Sequence, residues 1–185
     1  HNPKVARMAP CCAPWSNIRD INDSAAVWKS QRNDRPFAEL CLEVALWQMT
    51  RGRIFILEHP ATSNIWSRSC LAAFSKRPEV SWGRLDLCRF GLMDPATNLP
   101  MKKGLCLMHN APPQALTLLF QRCQHGLREH TSHHHIDGGI PGVTHRDRNI
   151  REIWDEVWRR IDHSRHGSHI HRSPITDHNT FISLV

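Results

Sequence analysis

The segment Pro10-Cys11-Cys12-Ala13-Pro14-Trp15-Ser16 sets two adjacent thiols between prolines. Each proline fixes its own φ near −65° and pushes the preceding residue toward extended backbone, so this loop is stiff and non-helical. A thiol on a rigid, exposed loop suits nucleophilic catalysis, in which a thiolate forms a covalent intermediate and later leaves. The plainer alternative is an inert cysteine pair. A second chemical candidate is Glu58, which closes the apolar run Arg53–Glu58 and precedes His59-Pro60. A carboxylate at the C-terminal end of a buried strand lies where α/β folds bind ligands, and it can serve as acid or base. Its plainer alternative is an ion pair with Arg53 or Arg84.

Two further groups have weaker chemical signatures. Cys123, His125, His130 and His133 to His135, with Cys106 and His109 upstream, are potential metal ligands. Their spacing lacks the two short pairs of a structural zinc site, so no metal is expected, although a small zinc module is the third reading of this segment. Arg51, Arg53, Lys102, Lys103, Arg146, Arg148, Arg151, Arg159 and Arg160 are dispersed cations without a recognition motif around them. They suit phosphate contacts or an ordinary solvated surface.

These residues need elements to position them. Asp34 and Pro36 mark a helix start, and Phe37, Leu40, Cys41, Val44 and Trp47 follow at helical spacing as its apolar stripe. Gly52 ends that helix, and the run 53–58 is a buried strand. Ser63 is placed to cap a helix burying Ile65 or Trp66, Leu71 and Phe74. Strands are expected over 80–88 and 104–110, with a helix opening at Pro113. An amphipathic helix over 149–161 carries Ile150, Ile153, Trp154, Val157, Trp158 and Ile161. The alternation predicts an α/β fold with a mainly parallel sheet. One domain is expected over 1–161, followed over 162–185 by a polar, His-rich tail that is disordered or bound to a partner.

Composition narrows the class of protein. The chain has 185 residues, is 40% hydrophobic and carries a formal charge of +7. It is long enough for a core, and its charge favours an anionic partner, nucleic acid before an acidic membrane. Seven cysteines without a regular framework indicate a reducing, intracellular compartment, the nucleus among them. No apolar run is long enough to span a membrane.

Together, the loop and the strand resemble the DNA (cytosine-5) methyltransferases, in which a Pro-Pro-Cys-Gln-x-Phe-Ser loop carries the nucleophile and Glu-Asn-Val at a strand end carries the acid. The segment from Pro10 to Ser16 is similar to the first pattern position by position, with Cys11 replacing the second proline. Glu58-His59-Pro60 takes the place of the second pattern. "GRIFILEHPATSNIW", "LDLCRFGL", "MKKG" and "CQHGLREH" resemble, in the same order, a diverged branch found in transposable-element and viral polyproteins. The likeness covers residues from about 8 to 140; Gly104-Leu105 stands where that branch has Pro-Thr.

The resemblance implies a Rossmann-like methyltransferase-type fold, incomplete on its N-terminal side. It also implies Cys12 as nucleophile and Glu58 as partner of cytosine N3, with Pro10, Ser16 and Arg53 beside the substrate. The methyl donor would be S-adenosylmethionine, although no glycine-rich turn after a strand is present to bind it. The nucleic acid would be DNA more than RNA, with the target base flipped out of the stack. A relative that no longer methylates fits the same motifs. The alternative function is a non-enzymatic basic protein that binds nucleic acid or serves as a structural subunit of a larger assembly.

Overall fold

The computed structural model describes residues 3–16, 24–94, 98–101, 103–124, 159 and 181–184. The order of elements begins β1 (Val5–Met8), a 3₁₀ turn (Ala13–Trp15), α1 (Ser24–Thr50) and β2 (Ile54–Pro60). It continues through α2 (Ile65–Arg68), α3 (Leu71–Phe74), β3 (Ser81–Asp86), β4 (Gly104–His109), α4 (Pro113–Leu116) and β5 (Phe181–Leu184). The strands form one sheet in the order β3-β4-β2-β1-β5. β1 pairs in parallel with β2, from Val5↔Ile54 to Met8↔Leu57, and in parallel with β5, from Val5↔Phe181 to Met8↔Leu184. The fold is therefore α/β. Parallel neighbours need a crossover, which α1 supplies between β1 and β2.

Contacts divide the chain into two compact units. The first holds the residues up to Gly83, Cys106–Ala111 and β5; the second holds Arg84–Leu105 and the described residues from Pro112 onward other than β5. In the first unit β2 lies between β1 and β4, and Ile54 to Leu57 are all buried, as expected of a central strand covered on both faces. Its core joins Met8, Phe55, Leu57 and Met108 from the strands to Ile65, Leu71 and Phe74 from the short helices. Phe55 and Phe74 pack with ring centroids 5.5 Å apart. Asn110 completes the start of β2: its Nδ2 donates to the Arg53 carbonyl and its Oδ1 accepts from the Phe55 N–H, both at 2.8 Å.

Helix α1 departs from the sequence expectation in two ways. It starts at Ser24 rather than near Asp34 and carries Pro36 in its interior, although proline there removes an N–H from the helical ladder. Asp34 is no cap: its carboxylate is buried and accepts from the Trp15 indole. The buried face also overlaps the expected one only in part. Ala38, Cys41 and Ala45 face the core with Gln31, Asp34 and Gln48, whereas Phe37, Leu40 and Trp47 are 60%, 44% and 36% exposed. Small side chains let the helix backbone approach the core closely; of the expected stripe Cys41 is buried and Val44 packs against the core, while its large members Phe37, Leu40 and Trp47 are left outside. Gln48 reaches the Pro3 carbonyl at 3.3 Å. The predicted stop is correct: Gly52 has φ 62° and donates to Met49 O, so it ends the helix in the left-handed conformation that glycine adopts without cost.

Other boundaries shift for local reasons. The helix expected after Ser63 is two single turns, α2 and α3. Ser63 Oγ accepts from Ile65 N, and Ser69 breaks the path by donating to Ile65 O and accepting from Leu71 N. The strand expected over 80–88 ends at Asp86, where a 3₁₀ turn (Leu87–Phe90) begins and Gly91, with φ 81°, closes it. In the second unit the buried Asp86 carboxylate gathers Arg122 Nε at 3.2 Å and the Cys123 N–H at 2.8 Å, with Arg84 at 3.8 Å. The helix expected at 149–161 and most of the His-rich segment lie outside the described residues. At the far end of the expected irregular tail, Phe181–Leu184 instead form β5 beside β1. Among the described residues no helix is long and apolar enough to cross a membrane.

Candidate active site at the ends of the first two strands

The last paired rung of β1 and β2 is Met8↔Leu57. Glu58 is the next residue of β2, and the Cys11-Cys12 loop leaves β1 on the same side of the sheet, so both candidates stand at the C-terminal edge of adjacent parallel strands. Their chain neighbours are joined directly: His59 Nε2 is 3.4 Å from the Cys11 carbonyl. Cys11 and Cys12 are both exposed, while the loop that carries them is held at several points. Trp15, buried in the core, donates its indole N–H to Asp34 on α1. Its carbonyl accepts from Ser63 Oγ at 3.1 Å and from Asn64 N at 2.8 Å. Trp15 N in turn donates to Cys12 O at 3.1 Å, which closes the 3₁₀ turn directly behind the thiol.

Glu58 is partly buried and paired with Arg7 on β1. Arg7 Nε and Nη2 approach the same oxygen, Oε2, at 3.1 and 2.5 Å, which leaves Oε1 outside that ion pair. The partner anticipated from sequence was Arg53 or Arg84; Arg7 takes the role because residues 7 and 58 lie on the same sheet face of neighbouring strands. His59 is buried, and burial lowers its pKa to about 4, only partly opposed by its bond to the Cys11 carbonyl. It is therefore neutral near pH 7, and a carbonyl partner places the proton on Nε2. Its Nδ1 meets no hydrogen-bond partner among the described residues. The ring packs edge-on to Trp66, with centroids 5.9 Å apart.

The structure brings four of the five candidate residues to this edge. Pro10 precedes the cysteines and is half-buried; Ser16 follows Trp15, also half-buried, with its N–H near the Ala13 carbonyl at 3.5 Å. Arg53 is not with them. It precedes β2, at the opposite end of the strand from Glu58, and its guanidinium lies 5.4 Å from the Trp47 ring centroid. At about 3.3 Å per residue, the five steps from one to the other span roughly 16 Å. Arg7, Asp34 and Ser63 were missed as parts of the site. Ser63 and Asp34 had signals only as helix caps, whereas nothing in the spacing marks Arg7.

Among the described residues, no three His, Cys, Asp or Glu side chains gather to hold a metal ion. Cys123 is described and its thiol is hydrogen-bonded to that of Cys88, but His125, His130 and His133 to His135 lie outside the described residues. The strand ends also bear on a nucleotide-type cofactor. β1 runs into Ala9-Pro10, β2 into Ala61-Thr62 and β4 into Asn110-Ala111, with no glycine-rich turn into a helix at any of them. Compared with protein-family models, with curated proteins and with solved structures, the chain finds no match.

Proposed function

We propose that this chain is a cytosine-5 methyltransferase-like domain of Rossmann-like type that receives a cytosine of DNA at the β1–β2 edge. One observation carries the reading: the parallel pairing of β1 with β2, locked by the His59–Cys11 contact, puts an exposed thiol and a strand-end carboxylate at one sheet edge. That is where open α/β sheets bind ligands. The +7 charge of the chain suits the phosphates of such a partner.

The residues supply an addition step. The Cys12 thiolate forms an S–C6 bond to cytosine, and the C5=C6 electron pair moves to C5. Glu58 Oε1 delivers a proton to N3 as charge builds on the ring and takes it back when the thiolate leaves, while Arg7 fixes the other carboxylate oxygen and thus the orientation of the group. C5 takes a proton from water. Loss of the original C5 hydrogen as a proton then re-forms the double bond and expels the thiolate, so the net change is exchange of that hydrogen with solvent. Methyl transfer would need S-adenosylmethionine. The described residues do not fit that group, because they lack the glycine-rich turn that lets backbone approach it, so the chemistry they support stops at exchange.

The test is deuterium incorporation at C5 of a cytosine-containing DNA oligomer in D₂O, read by mass spectrometry. Exchange should occur with the protein and vanish with Cys12→Ser, persist with Cys11→Ser, and drop about 10²-fold or more with Glu58→Gln. No exchange, or exchange indifferent to Cys12→Ser, refutes the chemistry. DNA binding that falls steeply with salt, survives Cys12→Ser and comes without exchange would establish the non-enzymatic alternative.

A further inference from the structure

We infer that Trp82, held against Trp66 beside a basic turn, is a stacking platform for a base of single-stranded nucleic acid. The inference rests on nucleic acid being the partner, as proposed above, but not on the chemistry of Cys12. Trp82 is the second residue of β3 and is 39% exposed, so folding leaves a large apolar ring in water. It is nevertheless fixed. Its centroid lies 4.7 Å from that of Trp66 at an interplanar angle of 73°, and its indole N–H points to the Ser75 carbonyl at 3.5 Å. Trp66 is anchored in turn by its own N–H donating to the Pro60 carbonyl at 2.9 Å. A ring already immobilised in its bound position loses little entropy when a base covers it.

The charge of the neighbouring chain specifies the occupant. From Arg68, the last residue of α2, to Trp82 the chain carries Arg68, Lys76 and Arg77, all exposed, against the single acid Glu79, which pairs with Arg77 at 3.5 Å. Lys76 directly follows Ser75, the residue whose carbonyl receives the Trp82 indole. An exposed aromatic platform beside an excess of cations is how proteins hold single strands: bases stack on the ring and phosphates meet the cations. In a duplex both faces of a base are covered by neighbouring pairs, so a protruding ring gains no stacking there. The edge-to-face series His59–Trp66–Trp82 also runs from the residue after Glu58, by ring-to-ring steps of 5.9 and 4.7 Å. His59 and Glu58 are successive strand residues and point to opposite faces of the sheet, so this series fixes Trp82 through Trp66 and His59 and does not lead to the carboxylate.

The experiment measures binding of a labelled oligothymidylate and of an abasic oligodeoxynucleotide of equal length by fluorescence anisotropy. Trp82→Ala should weaken oligothymidylate binding roughly 5- to 150-fold and leave abasic binding unchanged; Trp82→Phe should stay within a few-fold of wild type. Trp82→Leu, which keeps the apolar bulk for folding but has no aromatic face, should behave as Trp82→Ala. Lys76→Ala should weaken both oligomers and reduce the salt slope by about 0.7. The inference is overturned if Trp82→Ala and Trp82→Leu bind oligothymidylate as wild type does, or lose both oligomers equally. A wild-type protein that binds no nucleic acid overturns this inference and the proposed function together, whereas unchanged binding by the Trp82 variants overturns this inference alone.

Discussion

Acidification from pH 7 toward pH 4 should destabilise the first compact unit through two buried histidines, His59 and His109. Each is almost fully enclosed, and burial is the main cause that lowers each pKa from 6.5 to about 4. In the unfolded chain both return to the ordinary value, so between about pH 6.5 and 4 the unfolded state binds more protons than the folded state. Stability is then complete above pH 6.5 and falls as the pH drops through that window, the sign required when the unfolded state is the better base. At 1.36 kcal/mol per pH unit the loss is about 3 kcal/mol for each histidine. The two together approach the whole stability of an ordinary domain, about 5–15 kcal/mol. Urea unfolding followed by tryptophan fluorescence at pH 7.5, 6.5, 5.5 and 5.0 should show a flat upper limb. Below it the slope should approach about 2.7 kcal/mol per pH unit, the value for two protons. His59→Gln keeps a hydrogen-bond donor for the Cys11 carbonyl but does not titrate, so it should halve that slope. Equal unfolding midpoints at pH 7 and pH 5, at equal m, would refute the reasoning, as would a His59→Gln protein with the full slope.

Two further outcomes follow from the thiols and from the loop's anchor. Under limiting iodoacetamide at pH 8, mass spectrometry should find Cys11 and Cys12 modified first, because both are exposed. Cys41, pushed up to about 12, and Cys88, pushed up to about 11, should be protected by burial, and equal labelling of these two with the loop pair would contradict the fold. Trp15→Phe removes the indole donor from the buried Asp34 carboxylate and should cost about 1–3 kcal/mol in urea unfolding. The same variant should hasten proteolysis within the Cys11-Cys12 loop, and a variant as stable and as resistant as wild type would show that this contact does not hold the loop.

What the sequence determined by itself were the local decisions. Gly52 ended α1 and the apolar run before Glu58 became the buried central strand, whereas the loop expected to be non-helical tightens into a 3₁₀ turn at Ala13–Trp15 with Cys12 in right-handed helical backbone. These depend on φ restrictions and on runs of apolar residues, which are properties of a few adjacent positions. The strands at 81–86 and 104–109 were legible for the same reason. Tertiary structure decided which side of a helix is inside and which charges meet. The spacing of Phe37, Leu40, Cys41, Val44 and Trp47 marks an apolar face, yet of these α1 buries Cys41 and packs Val44 against the core, and it buries Ala38 and Ala45 in place of Phe37, Leu40 and Trp47. Periodicity shows that a face exists, but the close approach to Met8, Phe55 and Leu57 selects the narrower one. Arg7 pairs with Glu58 only because β1 and β2 run parallel in a register that is set by pairing 49 positions apart, from Val5 to Ile54. Arg53, close to Glu58 in sequence, is carried to the other end of the strand by the extended backbone between them. The proximity of the Cys12 loop to Glu58 was thus suggested by motif, but it exists because a crossover helix returns the chain to the same sheet edge.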